Sequence, residues 1–458
     1  MGVLVSWFRR VRLQTPPAWG IEPVPEGQRV LRWYDLFALW FSLGVGLLVL
    51  QAGALLVPGL SFAGAMWAIV LGSVIGSLLL ALTGLIGSDS GAPTMVLLRP
   101  VLGQRGSYLA SVLNVAQLLG WTAFELWVIA LTAGRISQSL FGAAHYSLWL
   151  VVGTIFCLLL ALGGPLVYVR AWLEKFGIWV MLLASLWITV YLLGSGRLAH
   201  LLAQPGNGQL PFWAGVDLVV ATPISWLPLV ADYSRFARRA PGAFWGTFVG
   251  YGIANIWFYA LGALFVLGLD LSQPSPDAVA TAIVGMTGGL VALLVILVDE
   301  TDNAFADIYS AAVSIQNIFP RLSQRWLIVG VTALGALMAA FLTMSGYAAF
   351  LILIGSVFVP LFGILAADFF IARRQVYPLH EIYGTGEPDA MGIAGPAAGW
   401  GGFQAPGLLA WVAGIVVYQA VSNDLPWLGA SIPSFLVAFA AYLLLAQIMR
   451  VLRRATAT

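Results

Sequence analysis

Two stretches decide the fold: DLFALWFSLGVGLLVLQAGALL, residues 35–56, and VDLVVATPISWLPLVADYSRF, residues 216–236. Each is long and apolar enough to cross a bilayer, which takes about 20 helical residues. Each is also interrupted. Gly44 and Gly46 sit near the middle of the first, and Pro223 and Pro228 flank Ser225 and Trp226 in the second. Glycine weakens a helix by roughly 1 kcal/mol, and proline removes an amide donor and clashes with the preceding turn. At mid-membrane depth the freed amides and carbonyls must face protein or a wet cavity, because lipid offers them no partner. Either interruption alone is compatible with an ordinary kink, so the positions of the two decide their meaning.

Composition places both stretches in a membrane. Of 458 residues, 60% are hydrophobic and 9% charged, against about 25% charged in a soluble domain. A net charge of +2 gives no case for a nucleic-acid partner. The single cysteine, Cys157, excludes an internal disulfide and a cysteine-built metal site. The N-terminal stretch lacks a long apolar core and a small-residue cleavage pattern, and reads as a cytoplasmic tail. Hydropathy gives twelve candidate spans, at about 35–57, 63–86, 108–133, 147–166, 171–194, 214–233, 242–269, 282–318, 327–345, 348–372, 406–421 and 430–450. The eighth is long enough to continue past the membrane. With the N-terminus inside, 19 of the 21 Arg and Lys fall on the cytoplasmic side and only Arg135 and Arg197 outside. Adding or dropping one span would scramble that partition, so the positive-inside rule supports a multi-pass protein of the inner (plasma) membrane with both termini cytoplasmic.

The two interruptions now fall in spans one and six, five helices apart. A repeat with an odd number of helices inverts its second copy. The expected fold is therefore all-α and polytopic, with 12 transmembrane helices in a five-plus-five inverted repeat and two peripheral helices. The expected divisions are a tail (1–34), the two repeats (35–194 and 214–372), a Gly- and Pro-rich cytoplasmic linker (373–405), the peripheral helices (406–450) and a second tail (451–458). Half-helix ends at the breaks would point dipoles and free carbonyls at a substrate or cation.

Span eight carries LVDETDNAFADIYSAA, residues 297–312, with Asp299, Glu300, Asp302 and Asp307 and no Lys or Arg to pair with them. Buried acids pair, bind a cation or take up a proton. At 100° per residue, Glu300, Asn303 and Asp307 share a face that Ser310 and Ser314 extend. Asp299 reads as an acid hydrated at an aqueous mouth. Span three adds Gln117, Trp121 and Glu125 on one stripe: an indole to stack on a flat ring, and polar groups for its edge. A lone membrane Trp more often packs against core or lipid; the stripe with Glu125 favours a site. The three histidines, His145, His200 and His380, form no i, i+4 ligand pair, and no nucleophile elbow or phosphate loop occurs, so an enzyme is not expected.

GIEPVPEGQRVLRWYDLFALWFS (20–42), NVAQLLGWTAFE (114–125), SWLPLVADYSRFARR (225–239) and TDNAFADIYSAAVS (301–314) resemble the nucleobase:cation symporter-1 family. The likeness covers spans one to ten and is closest to the hydroxymethylpyrimidine and cytosine permease branch. It implies the fold of the neurotransmitter:sodium symporters, working by alternating access. It also implies a heteroaromatic ring held between Trp121 and Trp226, with Gln117, Glu125, Ser225, Asn303, Asp307 and Gly44 around it. The resemblance places a candidate sodium site at Leu43, Gly46, Val298, Thr301 and Asp302. Glu125 stands where the family often has Gln, Asp307 where it often has Asn, and Asp302 in place of a hydroxyl. The expectation is a symporter for cytosine, hydroxymethylpyrimidine or a related ring, driven by Na+ or H+, without a cofactor and monomeric in lipid. The alternative is a same-fold symporter for a hydantoin, allantoin or an amine or amino acid.

Overall fold

The computed structural model describes residues 20–164, 178–194, 205–268, 275–286, 288–342, 346–384 and 401–457. Most of the N-terminal tail, the start of the fifth span, Arg197 and residues 385–400 of the linker lie outside the described residues.

The first span is two helices, α1 (Trp33–Leu43) and α2 (Leu47–Ala54), bent by 59° across the glycines. Next come α3 (Phe62–Ser90), α4 (Gln104–Phe141), α5 (Tyr146–Gly163) and α6 (Ile178–Leu193). The sixth span is α7 (Phe212–Trp226), a 3-10 turn at Leu227–Leu229, and α8 (Val230–Ser234). It is followed by α9 (Ala240–Gly268), α10 (Pro276–Val284), α11 (Gly289–Ile318) and α12 (Gln324–Ala339). The last are α13 (Tyr347–Ala366, closing in a π-helical turn at Ala367–Ala372), α14 (Ala405–Asp424) and α15 (Ser431–Ala457).

Among the described residues eight continuous helices, or nine with α1–α2 taken as one broken span, are long and apolar enough to cross a membrane. A count of twelve needs α6 and α12, each 16 residues, and α11, whose 30 residues carry four carboxylates.

The structure corrects the start of the eighth span. It is divided, because Gly288 takes φ 73° and the chain turns between α10 and α11. A Cβ on Gly289 would lie 1.7 Å from the Ile283 carbonyl oxygen, so the turn admits only glycine there. Arg135 at the end of α4 holds α10 through a two-pronged pair with Asp277, at 2.7 and 2.5 Å.

Packing sorts eight spans into two groups of four. In the first, α9 packs on α1 and α3, and α7 packs on α3. In the second, α4 packs on α11 and α12, and α5 packs on α11. These are spans one, two, six and seven, and spans three, four, eight and nine. Each group maps onto itself when five is added to the span number: the α3–α7 contact becomes α9–α1, and α5–α11 becomes α12–α4. This is the internal symmetry an inverted repeat requires. The two final helices pack on each other and on α13 from outside. On α5, Val151, Ile155 and Leu159 form an exposed apolar stripe at four-residue spacing, a face suited to acyl chains.

Candidate functional site

The break in span one lies where the two groups meet. Gly46 holds φ 146° and ψ 160°, a conformation open to glycine and almost nothing else. A Cβ there would stand 3.0 Å from Glu300 Oε1. The turn frees the amide of Leu47, the first residue of α2, and α11 supplies its acceptor: Leu47 N–H donates to Glu300 Oε1. Asn303, three residues on, donates its amide to the Val45 carbonyl at 3.4 Å. A carboxylate at this position satisfies an orphan donor and meets the positive end of the α2 dipole.

The α1 side of the break meets different acids. The Ser42 hydroxyl donates toward Asp302, and lies 3.3 Å from Asp299 Oδ1. The acids of α11 are thus divided between the two half-helices: Asp299 and Asp302 serve α1, and Glu300 serves α2. Spacing of i, i+3 keeps Asp299 with Asp302, and Glu300 with Asn303, on neighbouring faces of one helix. Asp299 is fully buried, so the reading of it as an acid at an aqueous mouth is corrected. Glu125 of α4 brings its carboxyl against Glu300. Residues 240–320 hold no Lys or Arg.

Beside the break is a narrow cavity. Trp121, Glu125, Ser225, Trp226 and Asn303 line it, as do Leu43 and Gly46. Trp226 packs edge-on to Trp40, with centroids 6.1 Å apart, and Trp121 packs against Phe350 at 5.2 Å and Tyr347 at 6.0 Å. These contacts fix both indoles. Trp121 Nε1 and Asn303 Oδ1 are buried with no hydrogen-bond partner among the described residues. Groups left so are normally met by water or ligand.

The other anticipated residues stand further back. Gln117 donates to the Ser225 carbonyl at 2.9 Å and to Asn114 Oδ1 at 2.8 Å, tying α4 to α7 behind the cavity wall. Asp307 is buried outside the lining. Gly44 faces α9, where a Cβ would lie 2.7 Å from that of Ala254. Thr301 gives its hydroxyl to the Val298 carbonyl at 2.6 Å. Among the described residues no group of three or more His, Cys, Asp or Glu could hold a metal ion, so a cation here would rely on carbonyl and hydroxyl oxygens beside the acids.

Sequence reasoning missed Ser42, Thr222, Tyr251 and Tyr347. Ser42 had a signal, being the only hydroxyl in residues 35–56. Tyr347 had none: it lines the cavity and donates to the Leu48 carbonyl at 3.0 Å, 299 residues away in the chain.

An inverted-repeat helical bundle with a polar, aromatic chamber beside a broken helix defines a class: secondary transporters. Residues 23–444 match the family described as permease for cytosine/purines, uracil, thiamine, allantoin, and the chain belongs to that family. It is an integral membrane permease, not an enzyme. A hydantoin permease of Microbacterium maritypicum is 26% identical over 387 residues, covering 79% of this chain and 78% of that one. The cytosine permease of Escherichia coli K12 is 26% identical over 368 residues, covering 77% and 81%. In fold the chain is similar to Mhp1, a nucleobase-cation-symport-1 family transporter solved closed with bromovinylhydantoin bound. There the TM-score is 0.79 at 22% identity, over 95% of this chain and 96% of that one. A Na+-coupled sialic acid symporter shares the fold at a TM-score of 0.65 and 13% identity, over 98% and 95%.

Proposed function

We propose that this permease imports a flat, nitrogen-rich ring, namely cytosine, hydroxymethylpyrimidine or a related pyrimidine or purine, by alternating access coupled to sodium or a proton. It works in the inner membrane with both termini cytoplasmic. The observation that carries this reading is the chamber, with Trp121 from one helix group, Trp226 from the other, and Glu125 and Asn303 in its wall. Indole faces take a heteroaromatic ring, and a carboxylate accepts from the ring's N–H edge. Gln117, one layer back, keeps Ser225 in register. Asp307 supports the same face of α11 from behind the wall.

The coupling ion belongs at the other side of the break. Ser42, Asp299 and Asp302 meet there. Leu43 and Gly46, which also line the chamber, would offer carbonyls, and Val298 and Thr301 would offer a carbonyl and a hydroxyl on giving up their mutual hydrogen bond. Buried carboxylates with no basic partner need a cation or a proton. An ion in that position neutralises α11 against α1 while the ring bridges α4 and α7, so both loads draw the two helix groups together.

A second reading, a cyclic ureide such as hydantoin or allantoin, is favoured by the similarity to the hydantoin permease. Thermal stabilisation of the purified protein by pyrimidines, purines and hydantoins, with and without sodium, separates the two. A ligand at about 100 times its Kd adds ~2.7 kcal/mol of stability. Cytosine or hydroxymethylpyrimidine is expected to stabilise the wild type, and to lose that effect in Trp121→Ala and in Trp226→Ala. Unchanged uptake in both variants removes the chamber as the binding site.

A further inference from the structure

A second built feature lies far from the chamber, at the arginine-rich end of spans ten and twelve. The π-helical turn Ala367–Ala372 ends span ten, and Asp368 within it is held by three groups. Arg373 Nε donates to it at 3.0 Å, Tyr377 at 2.5 Å and Tyr442 of α15 at 2.7 Å. Arg373 also pairs with Glu381. The charge of Arg373 is therefore matched within the fold. The charges of its neighbours are not. Arg374 is exposed, Arg450 of α15 is half-buried, and neither has a carboxylate within ion-pair distance among the described residues.

These two arginines line one cleft. A groove between the end of span ten and α15 is walled by Arg374, Arg450 and Gln447 at its polar part, and by Ile371, Leu443 and Val451 along the rest. A smaller pocket shares Arg450, Ala372 and Ala446 with it. Ile371 and Val451 are 55% and 61% exposed. Two guanidinium groups without a carboxylate partner among the described residues, above an apolar trough, form an amphiphile's negative image. A soluble anion would use the arginines and leave the trough in water; an acyl chain fills it.

We propose that this cleft binds one anionic phospholipid, its phosphate between Arg374 and Arg450 and an acyl chain along Ile371, Leu443 and Val451. Arginine forks match phosphate oxygens, and basic pockets between spans suit charged headgroups. The lipid would add a bridge between Arg374 and Arg450 to the Tyr442–Asp368 hydrogen bond that already joins α15 to span ten. This site is independent of the transport reading, since it shares no residue with the chamber.

The test uses the full chain in detergent, titrated with phosphatidylglycerol, phosphatidylcholine or glycerol phosphate, and read by native mass spectrometry and thermal unfolding. Phosphatidylglycerol should bind and stabilise the wild type over phosphatidylcholine. Arg374→Gln with Arg450→Gln should lower phosphatidylglycerol affinity roughly thirtyfold, about fivefold per charge near the surface. Arg238→Gln with Arg239→Gln, at an exposed basic site elsewhere, should retain it. The proposal fails if the wild type shows no preference for the anionic lipid, if the Arg374/Arg450 variant binds it as wild type does, or if glycerol phosphate alone stabilises equally.

Discussion

Spans one and six occupy equivalent places in the two repeats, yet their backbones break differently. Span one bends by 59° at Gly44–Gly46, and its second half begins with a new N-terminus. Span six runs as one 23-residue span from Phe212 to Ser234, with Pro223 inside it and a single 3-10 turn at Leu227–Leu229. Glycine permits a backbone conformation that turns the axis, whereas proline deletes a hydrogen bond and crowds the preceding turn but leaves φ helical. The sharp break requires an acceptor for the freed Leu47 amide, and Glu300 provides it. The gentle break needs little: Asn114 and Gln117 reach the Pro228 and Ser225 carbonyls at 3.4 and 2.9 Å. The lesson is that one topology supports two chemistries, an electrostatic one at span one and an aromatic one at span six.

Substitutions at three positions would break or sharpen this contrast. Gly46→Ala should be the most damaging. It forces a side chain into φ 146° and places a Cβ 3.0 Å from Glu300 Oε1. The strain is ~1–3 kcal/mol, and uptake should vanish while the protein still reaches the membrane. Next is Glu300. Glu300→Ala strands the Leu47 amide and should cost ~1–3 kcal/mol in thermal unfolding. Glu300→Gln keeps the acceptor and loses only the charge at the helix end, worth ~0.3–1 kcal/mol. Its larger effect should fall on the dependence of uptake on sodium or pH. Equal destabilisation by both variants would show that the capping acceptor is not what the carboxylate contributes. Pro228→Ala should be the mildest, within ~1 kcal/mol and with uptake reduced by less than about fivefold. If Pro228→Ala abolishes uptake and Gly46→Ala is tolerated, the two breaks have been assigned the wrong weights.

Much of this was legible because membranes impose simple rules. The paired breakers and the intramembrane acids are each local to the chain. Of the residues expected around one ligand from stripes and resemblance, Trp121, Glu125, Ser225, Trp226 and Asn303 line one cavity, whereas Gln117, Asp307 and Gly44 do not. The eighth span was misjudged at its start because an apolar run continues through MTGG, and hydropathy does not register a glycine turn. Asp299 was misjudged because its partner, Ser42, lies 257 residues earlier in the chain.

The sequence by itself determined that this chain lives in lipid, breaks two helices five spans apart and buries acids without basic partners. Apolar length, helix breakers and charge act over a few residues and need no fold to be read. Only the tertiary structure decided how the acids divide, with Glu300 capping α2 while Asp299 and Asp302 turn to Ser42. That division depends on which helix α11 lies against and at what rotation, and close packing of side chains from distant parts of the chain sets both.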